Sequence, residues 1–370
     1  MSKLFSPFPL RGLMLPNRIV VAPMCQYSAE DGAATDWHMI HLGQLALSGA
    51  GLLFIEATAV ERDGRITHGC LGLWNDATEA ALLPVLAVIR RHSRIAVVMQ
   101  LAHAGRKAST QLPWQGGQQM ALAHGGWLAD APSALPHKPG EAATLALDAT
   151  GLRRVRDAFA AAAGRAARLG LDGIELHAAH GYLLHQFLSP IANQRSDEYG
   201  GSLERRMRFP LEVFDAVRAS FPHDKPVGVR VSATDWVDGG WDLDQTIVLA
   251  QALKQRGADW IDVSSGGVSP LQKPVLGPGY QVPFAQAVKQ ATGMATMAVG
   301  LITEARQAED ILALGQADMV ALARAMLYDP RWPWHAAALL GAQVAAPPQY
   351  WRCPPREHAS LFLDATFGAR

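Results

Sequence analysis

Gly173-Ile174-Glu175-Leu176-His177-Ala178-Ala179-His180-Gly181-Tyr182 joins a short apolar run to a group of polar side chains. Its first half is a short apolar run typical of a buried strand, and its second half carries two imidazoles and a phenol. Two imidazole N–H groups can donate to one carbonyl oxygen, and a phenol can supply a proton nearby. The same histidines can also bind a metal or fill a structural role. Because catalytic groups of parallel α/β folds gather where strands end, we interpret this cluster as catalytic.

Short runs rich in Val and Ile, each followed by a segment with helical spacing, recur along the chain. These runs predict eight strands: Arg18–Ala22, Leu52–Ala57, Ile95–Leu101, Gly173–His177, Val227–Ser232, Trp260–Ser264, Ala295–Val299 and Met319–Ala323. Asp36 and Asp76 are predicted to cap the first two helices. Continuous hydrophobicity is typical of strands covered on both faces, and alternation with helices indicates a parallel sheet. The sequence therefore predicts an α/β protein whose residues 1–370 form a single (β/α)8 TIM barrel domain.

Two segments depart from the regular alternation of strands and helices. Residues 107–148 follow the third strand and contain Trp114 and Trp127, so we expect an ordered flap inserted over the end of that strand. Residues 341–370 form a C-terminal tail that includes Pro347-Pro348-Gln349-Tyr350-Trp351-Arg352. Its aromatic content predicts packing against the barrel or against a neighbouring subunit.

Composition argues against several classes of protein. The 370 residues include 33 basic and 33 acidic side chains, so the net charge is zero. Nucleic-acid and membrane-surface binders typically have an excess of positive charge, which this composition does not have. Cys25, Cys70 and Cys353 form no Cys-x-x-Cys pair, which argues against a disulfide framework or a cysteine-ligated cluster. No apolar run reaches the roughly 18 residues that span a bilayer, and the first residues lack a signal-peptide core. We expect a cytoplasmic protein that acts on a small molecule, without a resident metal, a nucleic-acid partner or a membrane.

The ends of the last predicted strands suggest a phosphate pocket. Gly266 and Gly300 follow the sixth and seventh strands, and Ala323-Arg324 follows the eighth. Small residues let backbone N–H groups approach a phosphate while a guanidinium lies beside it, and this region is the usual phosphate site of a TIM barrel. These residues favour a phosphorylated ligand. No Gly-x-Gly-x-x-Gly follows a predicted strand, so no Rossmann domain is indicated.

Gln100 and Arg230 are polar groups at the ends of otherwise apolar strands. A buried arginine needs an acceptor, and a salt bridge within the protein would supply one. An isoalloxazine ring is the alternative, because its N1–C2=O edge accepts from arginine while glutamine can pair with its pyrimidine face. On the residues alone, both interpretations remain open.

Several stretches resemble the Old Yellow Enzyme family of FMN-dependent ene reductases, over nearly the whole chain. The strongest match is Asn193-Gln194-Arg195-Ser196-Asp197-Glu198-Tyr199-Gly200-Gly201-Ser202, followed by Arg208-Phe209. His103-Ala104-Gly105-Arg106 also matches. Pro23-Met24-Cys25-Gln26-Tyr27 resembles the thermophilic-like subgroup, which carries Cys and Tyr near the flavin.

The resemblance implies a flavoprotein, an NADPH dehydrogenase that takes hydride from NADPH or NADH and reduces activated C=C bonds of α,β-unsaturated carbonyl or nitro compounds. It implies that His177 and His180 hold the substrate oxygen while Tyr182 protonates the α-carbon. Tyr27 would contact the substrate, and Arg352 would enter the site of a neighbouring subunit in a homo-oligomer. The residues implied to bind FMN are Pro23, Met24, Cys25, Ala57, Gln100, Arg230, Gly266, Gly300, Ala323 and Arg324.

One departure from the family pattern and one rival class follow from the residues. Ala323 stands where the family usually has Gly; its amide remains, so phosphate binding survives if the backbone there has a negative φ. The rival class is a flavin-free TIM barrel, either a lyase or isomerase or a metal hydrolase that uses His177 and His180. An aldolase-type lyase needs a lysine at a strand end, and none of the predicted ends supplies one. A hydrolase needs a third ligand, for which His103 is a weak candidate.

Overall fold

The computed structural model describes residues 2–366, and its centre is a closed barrel of eight parallel strands. In chain order the barrel strands are β1 (Ile19–Val21), β2 (Leu52–Ala59), β3 (Ala96–Ala102), β4 (Gly173–Ala178), β5 (Val227–Ser232), β6 (Trp260–Ser264), β7 (Ala295–Ala298) and β8 (Met319–Leu322). Each strand pairs with its neighbour in sequence, and β8 closes against β1. The predicted TIM barrel is confirmed, and every strand end lies within two residues of its predicted position.

Helices cover the outside of the barrel. Within residues 2–366 they are α1 (Asp36–Ala46), α2 (Asp76–His92), α3 (Ala149–Arg168), α4 (Leu183–Leu188), α5 (Leu203–Ser220), α6 (Leu243–Gln255), α7 (Val282–Thr292), α8 (Ala305–Ala313), α9 (Arg324–Tyr328) and α10 (Trp332–Leu340). The predicted caps were wrong by one residue, because Thr35 and Asn75 precede α1 and α2. Asn75 accepts the N–H of Thr78, so the acidic residue after it lies inside the first turn. None of these helices is both long and apolar enough to cross a bilayer.

Side chains that point into the barrel form two stacked layers of polar groups. The lower layer contains Gln100, Glu175, Gly228 and Trp260, which lie side by side on β3 to β6. Two residues further along the strands, the upper layer contains His177, Arg230 and Asp262. Because alternate residues of a strand face the same side, both layers point into the interior. The upper layer is the one nearer the carboxyl ends of the strands.

Gly228 makes the lower layer possible. A Cβ atom at this position would lie 1.9 Å from the Trp260 ring, so only glycine lets the indole cross β5 toward Glu175. The indole N–H then donates to Glu175 Oε2 over 2.9 Å. A contact between residues on β4 and β6 therefore depends on the absence of a side chain on the strand between them.

The flap, residues 107–148, consists of short helical turns and a two-residue parallel pairing of Asp130–Ala131 with Leu145–Ala146. Trp127 holds it in place, because its indole N–H donates to the carbonyl of Asp63 and its backbone N–H donates to Ser109. Trp114 packs edge-on against Tyr27, with ring centres 6.0 Å apart. The segment therefore reaches the region that follows β1.

The described part of the C-terminal tail packs on its own barrel. Val344 pairs with Phe362, and both pack with Trp334 of α10. Val344 also approaches Gly49, which lies in the turn before β2. The predicted tail segment extends over residues 367–370, which lie outside the described residues. Contact of the tail with a neighbouring subunit stays a prediction.

Candidate active site

The three predicted catalytic side chains form one cluster at the carboxyl end of β4. The His177 ring centre lies 5.1 Å from that of His180 and 4.8 Å from that of Tyr182, both in edge-on orientation. Gly181 has φ +72°, and a Cβ there would lie 2.1 Å from the carbonyl oxygen of Gly267. Glycine at this position thus lets the loops after β4 and β6 approach each other.

Both imidazoles are neutral at physiological pH. Burial lowers the pKa of His177 and of His180 well below their usual range, and the positive charge of Arg230 lowers both further. His177 Nδ1 accepts the backbone N–H of Ala179 over 3.2 Å, so its own proton is on Nε2. The ring therefore presents an N–H donor on the side away from the backbone.

His180 is fixed by three contacts and has an uncommon backbone conformation, with φ +56°. Its N–H donates to Ser232 Oγ, and its carbonyl accepts from Lys107 Nζ, at 2.9 and 2.8 Å. Its ring Nε2 lies 2.7 Å from Ser264 Oγ. The Ser264 contact occupies Nε2, so Nδ1 is the ring atom left for a ligand. This serine contact joins the end of β4 to β6, and no local pattern predicted it.

Lys107, the first residue of the flap, lies in the mouth of the barrel, where no lysine was predicted. Its Nζ donates to the carbonyls of His180 and Gly267 and lies 5.0 Å from the centre of the Tyr182 ring. Burial, with the nearby charge of Arg106, lowers the pKa of Lys107 to about 8. Lys107 is not at a strand end, because it follows β3 by several residues and folds back over the mouth.

The phenol and thiol groups near the mouth are protonated. Burial raises the pKa of Tyr182 well above its usual range, so the side chain retains a proton that it can donate. Cys25 and Tyr27 follow β1, and burial also raises both of their pKa values. Tyr27 has φ +53°, which marks a constrained turn at this point.

Gln100 and Arg230 both have partners within the protein. Gln100 Nε2 donates to Glu175 Oε1 over 2.8 Å, which leaves the amide oxygen and one N–H. Arg230 Nε lies 3.1 Å from Asp262 Oδ2, but the two atoms are not aligned as a hydrogen bond. The buried Nε of Arg230 and both carboxylate oxygens of Asp262 therefore lack an aligned partner. A salt bridge of Arg230 is therefore present with Asp262, and both side chains keep polar atoms that can still form hydrogen bonds.

The predicted phosphate residues lie at the opposite side of the mouth. Ala323 has φ −105°, so its methyl group does not have to enter the left-handed backbone region. Arg324 is exposed, and Gly300 has φ +116°. Gly266 donates its N–H to the carbonyl of Thr234, so this amide is already used within the protein.

The remaining predicted residues occupy different surroundings. Ala57 lines a small cavity together with Tyr182 and Cys70. Pro23 and Met24 follow β1 and are half-buried. Arg352 is exposed in the tail.

One group of potential metal ligands exists among residues 2–366, and it does not include the paired imidazoles. Glu61, His103 and Asp130 have ligand atoms within 4.8 Å of one another. Arg154 donates to both carboxylates at 2.5 Å, and His103 Nε2 lies 2.9 Å from Glu61. A guanidinium thus supplies the positive charge that a metal would bring. In this described part of the chain, the metal-hydrolase alternative lacks a third ligand beside the imidazole pair.

A closed parallel barrel with this cluster at its mouth is typical of TIM-barrel enzymes, and comparison with known proteins identifies the family. The family model described as "NADH:flavin oxidoreductase / NADH oxidase family" matches residues 3–342. The chain therefore belongs to this family, that of the Old Yellow Enzymes. The flavin-free lyase, isomerase and hydrolase alternatives are thereby overturned.

Similar proteins extend over almost the full length of the chain. An NADPH dehydrogenase of Listeria innocua is 45% identical, over 95% of this chain and 99% of its own length. An NADPH dehydrogenase of Geobacillus thermodenitrificans is 43% identical, over 94% of this chain and 98% of its own. A structure of morphinone reductase in complex with tetrahydroNAD has a TM-score of 0.76 and 28% identity, and covers 98% of both chains. The protein is an FMN-dependent oxidoreductase that uses NAD(P)H.

Proposed function

We propose that the protein is an ene reductase that reduces activated C=C bonds of α,β-unsaturated carbonyl and nitro compounds. The observation that carries this proposal is the cluster at the end of β4, where two neutral imidazoles lie beside a protonated phenol. Such a cluster can bind an oxygen on which negative charge develops and can donate a proton to a neighbouring carbon.

The residues around the mouth fit FMN. Arg230 offers a buried Nε without an aligned partner, and Gln100 retains its amide oxygen for a pyrimidine edge. Arg324, at the other side, is an exposed cation suited to a phosphate, beside Gly300 and Ala323. Pro23, Met24, Cys25, Ala57 and Gly266 would complete the surroundings of the ring and chain. FMN supplies the two-electron redox chemistry when bound.

His177 and His180 bind the substrate oxygen in this proposal. Each N–H stabilises the developing negative charge, and removal of one such donor typically costs about 3 kcal/mol of transition-state stabilisation. The low pKa values keep both rings neutral, so each ring offers one N–H donor to the substrate oxygen. For His180, Nδ1–H is the donor assigned to this role, in the tautomer whose Nε2 accepts from the Ser264 hydroxyl.

Tyr182 donates the proton to the α-carbon. The Lys107 ammonium lies over the face of its ring, where a positive charge favours the phenolate left after proton transfer. Solvent then returns the proton to the phenol. Tyr27, packed against Trp114 of the flap, forms the opposite wall of the substrate site.

The nicotinamide and the alkene use the same site in turn. Morphinone reductase binds tetrahydroNAD in its solved complex, and we assign the corresponding nicotinamide position to the mouth of this barrel. We further assign Arg352 to the site of a neighbouring subunit in a homo-oligomer, since the tail of its own chain packs near Gly49. Light scattering that shows a monomer would contradict this assignment.

Anaerobic spectroscopy tests the proposed activity. The purified protein is first reduced with NADPH until the flavin absorbance bleaches, and is then mixed with 2-cyclohexenone, N-ethylmaleimide or a nitroalkene. We expect the oxidised spectrum to return, with one saturated product per flavin. If none of these alkenes restores the absorbance while oxygen does, the protein is an NAD(P)H oxidase and the ene-reductase proposal is wrong.

A further inference from the structure

Two buried carboxyl groups inside the barrel take no part in the reaction proposed above. Glu175 belongs to the lower layer and Asp262 to the upper layer, and both side chains are excluded from solvent. Arg230 lies 3.1 Å from Asp262 and acts electrostatically on both carboxyls. Two carboxylates and one guanidinium would leave an uncompensated negative charge in a water-poor interior. One proton bound to either Glu175 or Asp262 would therefore balance the charge of these two carboxyls and Arg230.

Glu175 orients the glutamine that faces the cofactor site. Its Oε1 accepts Gln100 Nε2–H over 2.8 Å, and its Oε2 accepts Trp260 Nε1–H over 2.9 Å. The amide of Gln100 is thereby fixed with one N–H toward the carboxylate, which directs its oxygen away from Glu175. Glu175 is thus a positioning residue for a side chain that would contact the flavin.

Burial raises the pKa of both carboxyls, but the Arg230 guanidinium lies 3.1 Å from Asp262 and keeps that carboxylate charged, whereas Glu175 contacts only neutral donors and is therefore the carboxyl that binds the proton. Burial and then the negative charge of Asp262 raise its pKa to about 8, against the opposing effects of Arg230, Trp260 and Gln100. These residues are the charged and polar groups that face Glu175 from β3, β5 and β6. His177, two residues along the same strand, is neutral and adds no charge.

We propose that Glu175 is a redox-linked proton site, which takes up a proton from solvent when the bound flavin is reduced and releases it on reoxidation. Hydride transfer from NAD(P)H brings two electrons and one proton to the cofactor and releases NAD(P)⁺, so the site gains one negative charge. The added charge next to Arg230 weakens the attraction between this guanidinium and the Glu175 carboxylate, which then binds H⁺. By reciprocity, protonation of Glu175 raises the reduction potential.

The inference depends on FMN binding and not on the identity of the alkene. Its test is the midpoint potential of the bound FMN between pH 6 and 9.5. One additional proton per two electrons steepens the pH dependence by about 30 mV per pH unit. We expect this steeper segment to begin near pH 8 in the wild type and to be absent in Glu175→Gln. Identical curves for the two proteins would overturn the proposal.

A second variant keeps the test decisive if Glu175→Gln does not retain FMN. Asp262→Asn preserves Glu175 but removes the neighbouring negative charge, so the steeper segment should move to lower pH. Asp235→Asn is the matched control, because Asp235 is equally buried but lies 2.9 Å from His185 and contacts neither Gln100 nor Arg230. Its curve should match that of the wild type. An unmoved segment in Asp262→Asn, or an equal shift in the control, would overturn the proposal.

Proton uptake gives a readout that is independent of the potential. Photoreduction of the protein in weak buffer at pH 8.5, with a pH-indicator dye present, reports the protons bound per flavin. We expect the wild type to bind more protons than Glu175→Gln. Equal uptake would contradict the assignment of the proton to this residue.

Discussion

The two polar layers inside the barrel differ in how completely their hydrogen bonds are satisfied. In the lower layer, Glu175 accepts from Gln100 and Trp260, so each partner has a defined bond. In the upper layer, Arg230 Nε and the Asp262 oxygens are buried without aligned partners. Leaving such atoms unpaired is costly. The lower layer is thus held by its own hydrogen bonds, whereas the upper layer keeps the polar atoms that the proposed function assigns to a ligand.

Arg230→Leu should have the largest effect, because it removes the guanidinium that balances the negative charge of Asp262 in the upper layer. An uncompensated buried charge costs about 3–5 kcal/mol, so we expect a loss of this size in the unfolding free energy at pH 8, together with loss of FMN. Chemical denaturation and flavin absorbance measure the two effects. The double variant with Asp262→Asn should recover stability but not FMN; recovery of neither would show that the pair does not balance charge.

Removal of the proton donor beside the upper layer should have the next largest effect. For Tyr182→Phe we expect alkene reduction to slow about 100-fold, as is typical for the loss of a general acid. Reduction of the cofactor by NADPH should be almost unchanged, because that step needs no proton from the phenol. Anaerobic stopped-flow absorbance separates the two half-reactions, and a loss confined to cofactor reduction would contradict the role of Tyr182.

Gly228→Ala tests the lower layer. The new methyl group would overlap the Trp260 ring and displace the indole from Glu175, so we expect a cost of about 1–3 kcal/mol in unfolding free energy. Gly43→Ala in α1 is the matched control, because a Cβ there meets nothing within 4 Å and alanine favours helix. Equal thermal midpoints for both variants would show that the indole does not need the space above Gly228.

The smallest expected effect concerns Lys107 at the rim. Its pKa is lowered to about 8, so the folded protein loses this positive charge as the pH rises through 8, although a free lysine would keep it to above pH 10. We expect alkene reduction to fall about fivefold between pH 7 and 9.5, since a cation over an aromatic ring contributes about 1 kcal/mol. Lys107→Met should be slow throughout and nearly independent of pH in this range. A pH profile of the variant that matches the wild type would exclude the effect.

The sequence predicted the barrel because buried parallel strands have continuous apolar runs, which can be recognised locally. The cluster of His177, His180 and Tyr182 was also predictable, because all three residues lie on one short stretch. Helix caps were less certain: Thr35 precedes Asp36, and the cap is the residue outside the first turn. The family resemblance was needed to choose FMN among phosphorylated ligands.

The residues of the site that the sequence did not predict are placed by contacts between distant parts of the chain. Glu175 lies inside an apolar run, and its alternation with His177 gave a signal that it faces the interior. Its pairing with Gln100 and Trp260 requires the register of three strands and the missing side chain of Gly228. Lys107 reaches the mouth through a turn whose path no local pattern defines.

The most direct test of the central claim is a comparison of the two half-reactions in the His177→Ala, His180→Ala double variant. If both rings bind the substrate oxygen, the rate of reoxidation by 2-cyclohexenone should fall by at least about 100-fold, as the loss of an oxyanion donor implies. Reduction by NADPH should fall much less, with FMN retained. An equal loss in both half-reactions, or no loss in alkene reduction, would contradict the assignment of the imidazole pair.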